Sequence, residues 1–211
     1  LLERAGNSAG QQPTLMIVAT PATAYPAEMF ENGVAAVLAD YKVNPLDPFA
    51  GHKTLNYWAR LRELQIAAAK RAGEALVFQV TNFLAGGCVS NAMIVKDRTL
   101  ITPIAQGEEL EAAREGEASG SDGDRAQDIA VVPSPVLPGI TRKWALDWAE
   151  EEGFHVRRRM VRIDDVLGAD ELLLTNSSWG VLPVVAVERE QIGDGKVGPV
   201  AKRLRHAWSA V

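Results

Sequence analysis

The sequence predicts an α+β (mixed α/β) fold, and three observations carry that reading. Short apolar runs bounded by Gly, Pro or Asn recur along the chain, as strands do. Two stretches, 54–72 and 141–154, change to the three- and four-residue spacing of amphipathic helices. The runs in 92–103 and 172–187 are close enough to pair as hairpins, and no unit repeats. Of the 211 residues 47% are apolar and 23% charged. That excludes a wholly disordered chain, a collagen and a coiled coil, and it supports a real core.

Thr14 to Thr20, TLMIVAT, reads as a short buried strand. PATAYPAEMFENG reads as a loop with a short turn. VAAVLADYKV (34–43) is a strand, stopped by Asn44-Pro45 and Asp47-Pro48. From Thr54 to Ala72 the spacing of Leu55, Trp58, Leu61, Leu64 and Ala68 predicts a helix, with Gly73 as its C-cap. EALVFQVTN (74–82) is a strand. AGGCVSN (85–91) is too rich in glycine for a strand interior and reads as a tight loop. AMIVKDRTLITP (92–103) predicts a hairpin turning at Lys96-Asp97-Arg98. After the acidic stretch, TRKWALDWAEEEGF is a helix ending at Gly153. HVRRRMVRI is a strand, and IDDVLGADE is a short helix or turn. LLLTNSSWGVLPVVAVE gives two strands around a small polar loop, and GPVAKRLRHAWSAV closes the chain as a helix.

The net charge is −5, and residues 105–128, with eight acids and two bases, carry −6 of it, leaving the rest at +1. The folded remainder is nearly neutral, which does not suggest a nucleic-acid partner. The composition of that stretch predicts a mobile loop over 105–130 that buries no core. No apolar run reaches the roughly 18 residues of a membrane-spanning helix. The one cysteine, Cys88, excludes an internal disulfide framework and a cysteine-only metal cage. His52, His155 and His206 lack metal-ligand spacing, so no metal is expected. LLERAGNSAGQQP has neither the basic nor the apolar region of a signal peptide, and it reads as a linker entering a folded unit, with more protein expected before Leu1. The single thiol favours a cytoplasmic location. The expected organisation is an interdomain linker with incoming strands over 1–50 and a cofactor-binding domain over 51–211.

Four segments could carry chemistry. Lys53 precedes the helix of 54–72, where the positive end of the helix dipole and partial burial would disfavour its charge and leave an amine able to attack carbonyls. The alternative is a solvated lysine. In PGITR (138–142), Ile140 and Thr141 begin a helix, so their N–H groups form an anion site, or Thr141 only caps the helix. In TNSSWG (175–180), hydroxyls and amides at a strand end can cradle a phosphate, or form an ordinary turn. In AGGCVSN, Gly86 and Gly87 permit close backbone approach. Cys88 is a reactive thiol or, with no His or second Cys nearby in sequence, a small buried hydrophobe.

The order of these segments, and the motifs HKTLNYW, LPGITR, TNSSWGVLPV and IGDGKVGPVAKRL, resemble the class IV aminotransferases, the fold-type IV pyridoxal-phosphate enzymes. That family includes branched-chain and D-amino-acid aminotransferases and 4-amino-4-deoxychorismate lyase. The resemblance runs from about Thr14 to Trp208. It implies a larger C-terminal domain built on a pseudo-barrel sheet, with a small N-terminal domain missing from this chain. It implies pyridoxal 5'-phosphate as cofactor and a homodimer, with no nucleic acid and no membrane. By the same resemblance Lys53 binds the cofactor covalently, inside a cleft, and shuttles the proton, while Tyr57 stands beside the ring. Gly87 aligns in the cofactor loop. Ile140, Thr141, Asn176 and Ser177 hold the phosphate.

Two departures refine the expectation. TNSSWGVLPV looks more like the lyase branch, because Gly180 stands where the aminotransferases carry glutamate. The implied reaction is then loss of pyruvate to leave 4-aminobenzoate, a step of folate biosynthesis, with amino-group transfer as the alternative. In the loop where the family reads glutamate–glycine–small–small–Ser–Asn, Gly86 occupies the position of the glutamate that pairs with the pyridine nitrogen, although Gly87, Ser90 and Asn91 align. No carboxylate nearby in sequence replaces it. A charged hydrogen bond contributes roughly 1.5–3 kcal/mol, so its loss is expected to slow carbanion chemistry roughly 10- to 100-fold. Cofactor capture at Lys53 survives that loss, and a catalytically degenerate relative is a third reading.

Overall fold

The computed structural model describes residues 15–118 and 133–209. Its elements are α1 (Glu28–Glu31), β1 (Val34–Val43), α2 (Trp58–Ala69), β2 (Glu74–Gln79), β3 (Leu84–Gly87), β4 (Asn91–Lys96), β5 (Thr99–Thr102), α3 (Glu109–Ala118), α4 (Ile140–Glu151), β6 (His155–Arg158), α5 (Ile163–Leu167), β7 (Glu171–Asn176), β8 (Gly180–Val187), β9 (Glu190–Gln191) and α6 (Pro199–Trp208). The described strands form one sheet in the order β3-β2-β1-β8-β7-β4-β5-β6, and β9 pairs with β8.

That order requires a curled sheet. β3 and β4 stand at opposite ends of a six-strand run, yet only residues 88–90 join them, and Gly87 N–H donates to Ser90 O across the turn at 2.9 Å. A flat sheet would hold these strands some 24 Å apart, at about 4.8 Å per strand. Three residues reach roughly 10 Å. The run from β3 round to β4 therefore closes on itself as a half-barrel. The expectation of an α+β fold on a pseudo-barrel sheet holds.

β2, β4, β7 and most of β8 are covered on both faces, so these strands are largely apolar and alternate in direction rather than in polarity, whereas β6 and β9 keep exposed polar residues. Leu76, Phe78, Ile94, Leu172, Leu174, Leu182 and Val184 fill the interior of the curl. Met93, Val95, Leu173 and Val181 face outward and pack with Ala145, Leu146 and Ala149 of α4 and with Val200 and Leu204 of α6. Val37, Ala75 and Val77 lie against Ala67 and Leu64 of α2. β1 lies between β2 and β8, parallel to both, so this incoming strand is an internal member of the sheet.

Hairpins appear where turn chemistry predicts them. Asp97 and Arg98 (φ 47° and 58°) make the two-residue β4–β5 connection, and both positive angles are what a strand-compatible turn needs. Asp170 supports it, accepting from Lys96 Nζ at 2.8 Å and from Asp97 N at 3.1 Å. Glu171 supplies a helix cap from another element: its two oxygens accept Val200 N and Ala201 N of α6, each at 2.8 Å.

Several expectations need correction. Residues 15–20 form no strand, and Leu15 to Val18 are exposed, because no described strand pairs with them. Thr14, the linker before it and the acidic residues 119–130 lie outside the described residues. Part of the acidic stretch is ordered instead of looping away: Glu109–Ala118 is helical and Ala112 is buried. Ala85–Gly87 belong to a strand, since pairing to β2 uses backbone alone: Gly86 and Gly87 pair with Val77 and Leu76, and a bulge leaves Ala85 as the extra residue. α2 begins at Trp58, not at Thr54, because Tyr57 N bonds back to Leu55 O at 3.0 Å. It also turns a different face inward. Glu63 and Ala67 are buried, whereas Leu55 (105%) and Trp58 (73%) are exposed. Glu63 is drawn in because Asp40 N–H, beside the β1 bulge, donates to its carboxylate at 3.0 Å.

Candidate active site

The turn between β3 and β4 is the hub of the candidate site, and a buried carboxylate holds it from beneath. Glu74 opens β2 on the same face as Leu76 and Phe78 and is fully buried. One of its oxygens accepts Ala75 N at 3.0 Å and Cys88 N at 3.2 Å; the other accepts Val89 N at 3.3 Å and Ser90 Oγ at 3.1 Å. Burial raises its pKa above 4.5, and these hydrogen bonds offset that only in part. Cys88, buried beside it, is pushed up to about 12, first by burial and then by the Glu74 charge. The thiol is a buried hydrophobe, not a nucleophile. From α2, Arg60 Nη1 donates to Gly87 O at 3.0 Å.

Two other turns attach to this hub. Asn91 Nδ2 donates to Leu137 O at 2.8 Å, and the Asn91 Oδ1 occupies the space a side chain at Gly139 would need. Asn176 Nδ2 donates to Val89 O at 3.2 Å. The Asn176 Oδ1 accepts Ser178 N at 2.9 Å and Trp179 N at 3.0 Å, which shapes the β7–β8 turn. PGITR and TNSSWG, remote in sequence, are therefore both tied to residues 89–91.

Topology brings a helix start to the same place. β7 is antiparallel to β4, as is β5, so β7 runs parallel to β5 and β6. α4 returns the chain between β5 and β6 and so runs opposite to β7, which puts the C-terminal end of β7 near the N-terminus of α4. Gly139 is the N-cap and offers no side-chain cap. Thr141 is buried and Ile140 is 82% exposed. Thr175 Oγ1, one residue before Asn176, is buried without a partner among the described residues. Ser177 lies in the exposed turn beyond.

Lys53 and Tyr57 form a separate pair. Lys53 Nζ donates to Tyr57 Oη at 3.3 Å and lies 4.4 Å from the centroid of its ring. Lys53 is exposed, not partly buried in a cleft, and α2 begins five residues later. Neither the expected partial burial nor the expected place at the helix start is found. The preceding residues anchor the segment: Gly51 is buried against the Ser134 backbone, and His52 Nε2 sits 3.3 Å from Gln106 Nε2.

Gly87, expected to permit close backbone approach, has partners in the chain, and so has Gly180. A Cβ on Gly87 would meet Ser90 Oγ and stand 2.9 Å from Glu74 Oε2. Gly180 has φ +73°, and the Trp208 indole fills the place of its missing side chain. Sequence reasoning missed Glu74, treating the hub as having no carboxylate. The signal was there: a lone acid two residues from Leu76 and four from Phe78 shares their buried face. It also missed Arg142. That side chain is 1% exposed, donates from Nη1 and Nη2 to the two Glu108 oxygens, each at 2.7 Å, and bonds Thr102 Oγ1 and Pro103 O. The pair ties the start of α4 to the chain leaving β5.

No group of three or more His, Cys, Asp or Glu side chains that could hold a metal occurs among the described residues, and no described helix is long and apolar enough to cross a membrane.

Comparison with known proteins places this geometry. The profile described as amino-transferase class IV matches residues 2–111 and 126–187. The branched-chain-amino-acid aminotransferase of Escherichia coli (strain K12) is 29% identical over 206 residues, 95% of this chain and 57% of that protein. The D-alanine aminotransferase of Staphylococcus haemolyticus is 27% identical over 186 residues, 87% of this chain and 54% of that protein. A crystal structure of the Escherichia coli branched-chain enzyme superposes with a TM-score of 0.70 at 26% identity, over 88% of this chain and 53% of that one. The 4-amino-4-deoxychorismate lyase of Pseudomonas aeruginosa shares the fold, with a TM-score of 0.72 at 22% identity over 92% of this chain and 60% of that one. The chain thus spans a little over half the length of the relatives it matches. It belongs to the amino-transferase class IV family, a family of pyridoxal-phosphate enzymes.

Proposed function

We propose that this chain carries the cofactor-binding half of a pyridoxal-phosphate lyase of the aminodeoxychorismate type. The convergence of PGITR and TNSSWG on one turn supports the cofactor reading. The donor set suits an anionic group: an N-terminus of α4 without a side-chain cap, the hydroxyls of Thr141 and Ser177, and close by a Thr175 hydroxyl without a partner among the described residues. Ile140 and Thr141 would offer backbone N–H groups, with Ser177 opposite. Gly87 would keep the hub turn tight behind them. When bound, the cofactor supplies an aldehyde for amine capture and an electron-withdrawing ring.

Lys53 Nζ is the group that would attach to the aldehyde and afterwards move protons. Tyr57 Oη would orient it, as the acceptor of its hydrogen bond. In the lyase reaction the ether bond to the enolpyruvyl group breaks, together with one ring C–H bond. The proton leaves on Lys53 Nζ and is returned to the enol carbon, giving pyruvate and an aromatic amine with no external oxidant. The single observation that favours the lyase is Gly180, whose conformation and whose Trp208 neighbour leave no room for the glutamate of the aminotransferases. Amino-group transfer to a 2-oxo acid is the second reading, favoured by curated relatives that are aminotransferases. A degenerate relative is the third: Glu74, the carboxylate behind the hub, is occupied by the chain's own donors and leaves Gly86 uncompensated.

A homodimer fits the same reading, supported by exposed Leu46, Phe49, Leu55, Trp58 and Leu61. The deciding assay incubates the protein with cofactor and either aminodeoxychorismate or an amino acid with 2-oxoglutarate. Release of pyruvate and 4-aminobenzoate supports the lyase. Glutamate formation supports transfer. No product and no borohydride-trapped adduct at Lys53 leaves the degenerate reading.

A further inference from the structure

We infer that Glu74 is the positioning residue of the phosphate grip, setting the relative placement of the PGITR and TNSSWG turns through the hub between them. The inference rests on the cofactor reading above and extends it to a residue outside the family motifs. Glu74 is wholly buried, and its two oxygens receive four donors, three of them from consecutive residues 88, 89 and 90. The same turn carries both attachments: Val89 O receives Asn176 Nδ2, and Asn91 Nδ2 reaches Leu137 O. A shift of the turn therefore shifts both walls of the grip.

The four donors are not equally dependent on the carboxylate. Cys88 N has a second acceptor, Ala75 O, at 3.1 Å. Val89 N and Ser90 Oγ bond to the same Glu74 oxygen. Glutamine at 74 replaces one oxygen by a donor and sets N–H against N–H, either at Val89 or at Cys88 and Ala75. The turn must move to relieve that contact, because a buried donor left without an acceptor loses its hydrogen bond to water and gains none in return. Gly87 confirms how tightly the parts fit, since any Cβ there would meet Ser90 and Glu74.

The test separates positioning from general stability by measuring a ratio. Pyridoxamine 5'-phosphate and pyridoxamine differ only in the phosphate, and neither carries the aldehyde that Lys53 would capture. Their affinities are measured by fluorescence titration at 15 °C for wild type, Glu74→Gln and Ser90→Ala, with Tm recorded for each. The wild type is expected to prefer the phosphorylated ligand strongly. Glu74→Gln is expected to lose roughly tenfold of that preference. Ser90→Ala, which removes one donor and keeps the charge, is expected to lose a few-fold and serves if the glutamine variant does not fold. A variant that is less heat-stable but keeps the full preference shows a structural role only and overturns the inference. A wild type with no preference overturns both this inference and the cofactor reading.

Discussion

Asn91 and Gly139 share one space: the Asn91 amide oxygen stands where any side chain at 139 would begin, while its nitrogen donates to Leu137 O at 2.8 Å. The glycine at the N-cap of α4 is thus required by a neighbour from another strand, not by its own backbone, whose φ of −68° suits any residue. Gly139→Ala should cost roughly 1–3 kcal/mol through overpacking and should weaken cofactor binding as the turn is pushed out. Chemical denaturation and a pyridoxal-phosphate titration of the same variant check both effects.

The Arg142–Glu108 pair predicts a specific acid sensitivity. Burial pushes the Glu108 carboxyl upward, but the Arg142 hydrogen bonds and charge outweigh it and hold the pKa below 4.5. A depressed folded pKa means that the unfolded chain binds the proton more readily. The stabilisation is therefore present above about pH 4.5 and fades as pH falls through the folded value. Thermal melts of wild type and Glu108→Gln between pH 3 and 7 should differ most at the upper end and converge at the lower. Arg142→Ala should be more damaging, about 1–3 kcal/mol, because it also removes the buried bonds to Thr102 Oγ1 and Pro103 O and leaves Glu108 only Arg158, at 3.8 Å, as an ion-pair partner among the described residues.

Cys88 should be silent to thiol reagents. It is 1% exposed, with its pKa pushed up to about 12 by burial and by Glu74, so almost no thiolate exists at pH 8. Ellman's reagent should report no thiol in the native protein and one per chain in guanidinium. A fast native reaction would show that the hub turn opens.

Lys53→Ala should separate chemistry from fold. The side chain is exposed, and its hydrogen bond and its ring contact are both with Tyr57, so stability should change by less than about 0.5 kcal/mol. The borohydride-trapped adduct, read by mass spectrometry of the 53–57 peptide, should vanish. An adduct that persists on another lysine would move the attachment point.

Much of the fold is legible in the sequence. Local signals sufficed for β1, the β4–β5 hairpin, α4 and α6, because periodicity and turn residues act over a few neighbours. They failed at α2, where the apolar residues at 55, 58 and 61 predicted the buried face and Glu63 took it instead. A backbone N–H beside a bulge in another strand made that choice, and no spacing within the helix reports it. The motif segments were visible as strings. Their common attachment was not, since Val89–Asn176 and Asn91–Leu137 are separated by 87 and 46 residues.

By itself the sequence determined the kind of chain this is: most of its element order, its family motifs and a lysine–tyrosine pair four residues apart. Only the tertiary structure decided which groups meet. A curled sheet brings the ends of β4 and β7 beside the start of α4, and a carboxylate at the head of β2 reaches the turn that joins β3 to β4. The physical reason is that hydrogen bonds and packing are satisfied by proximity in space, which chain closure creates and local propensity cannot encode.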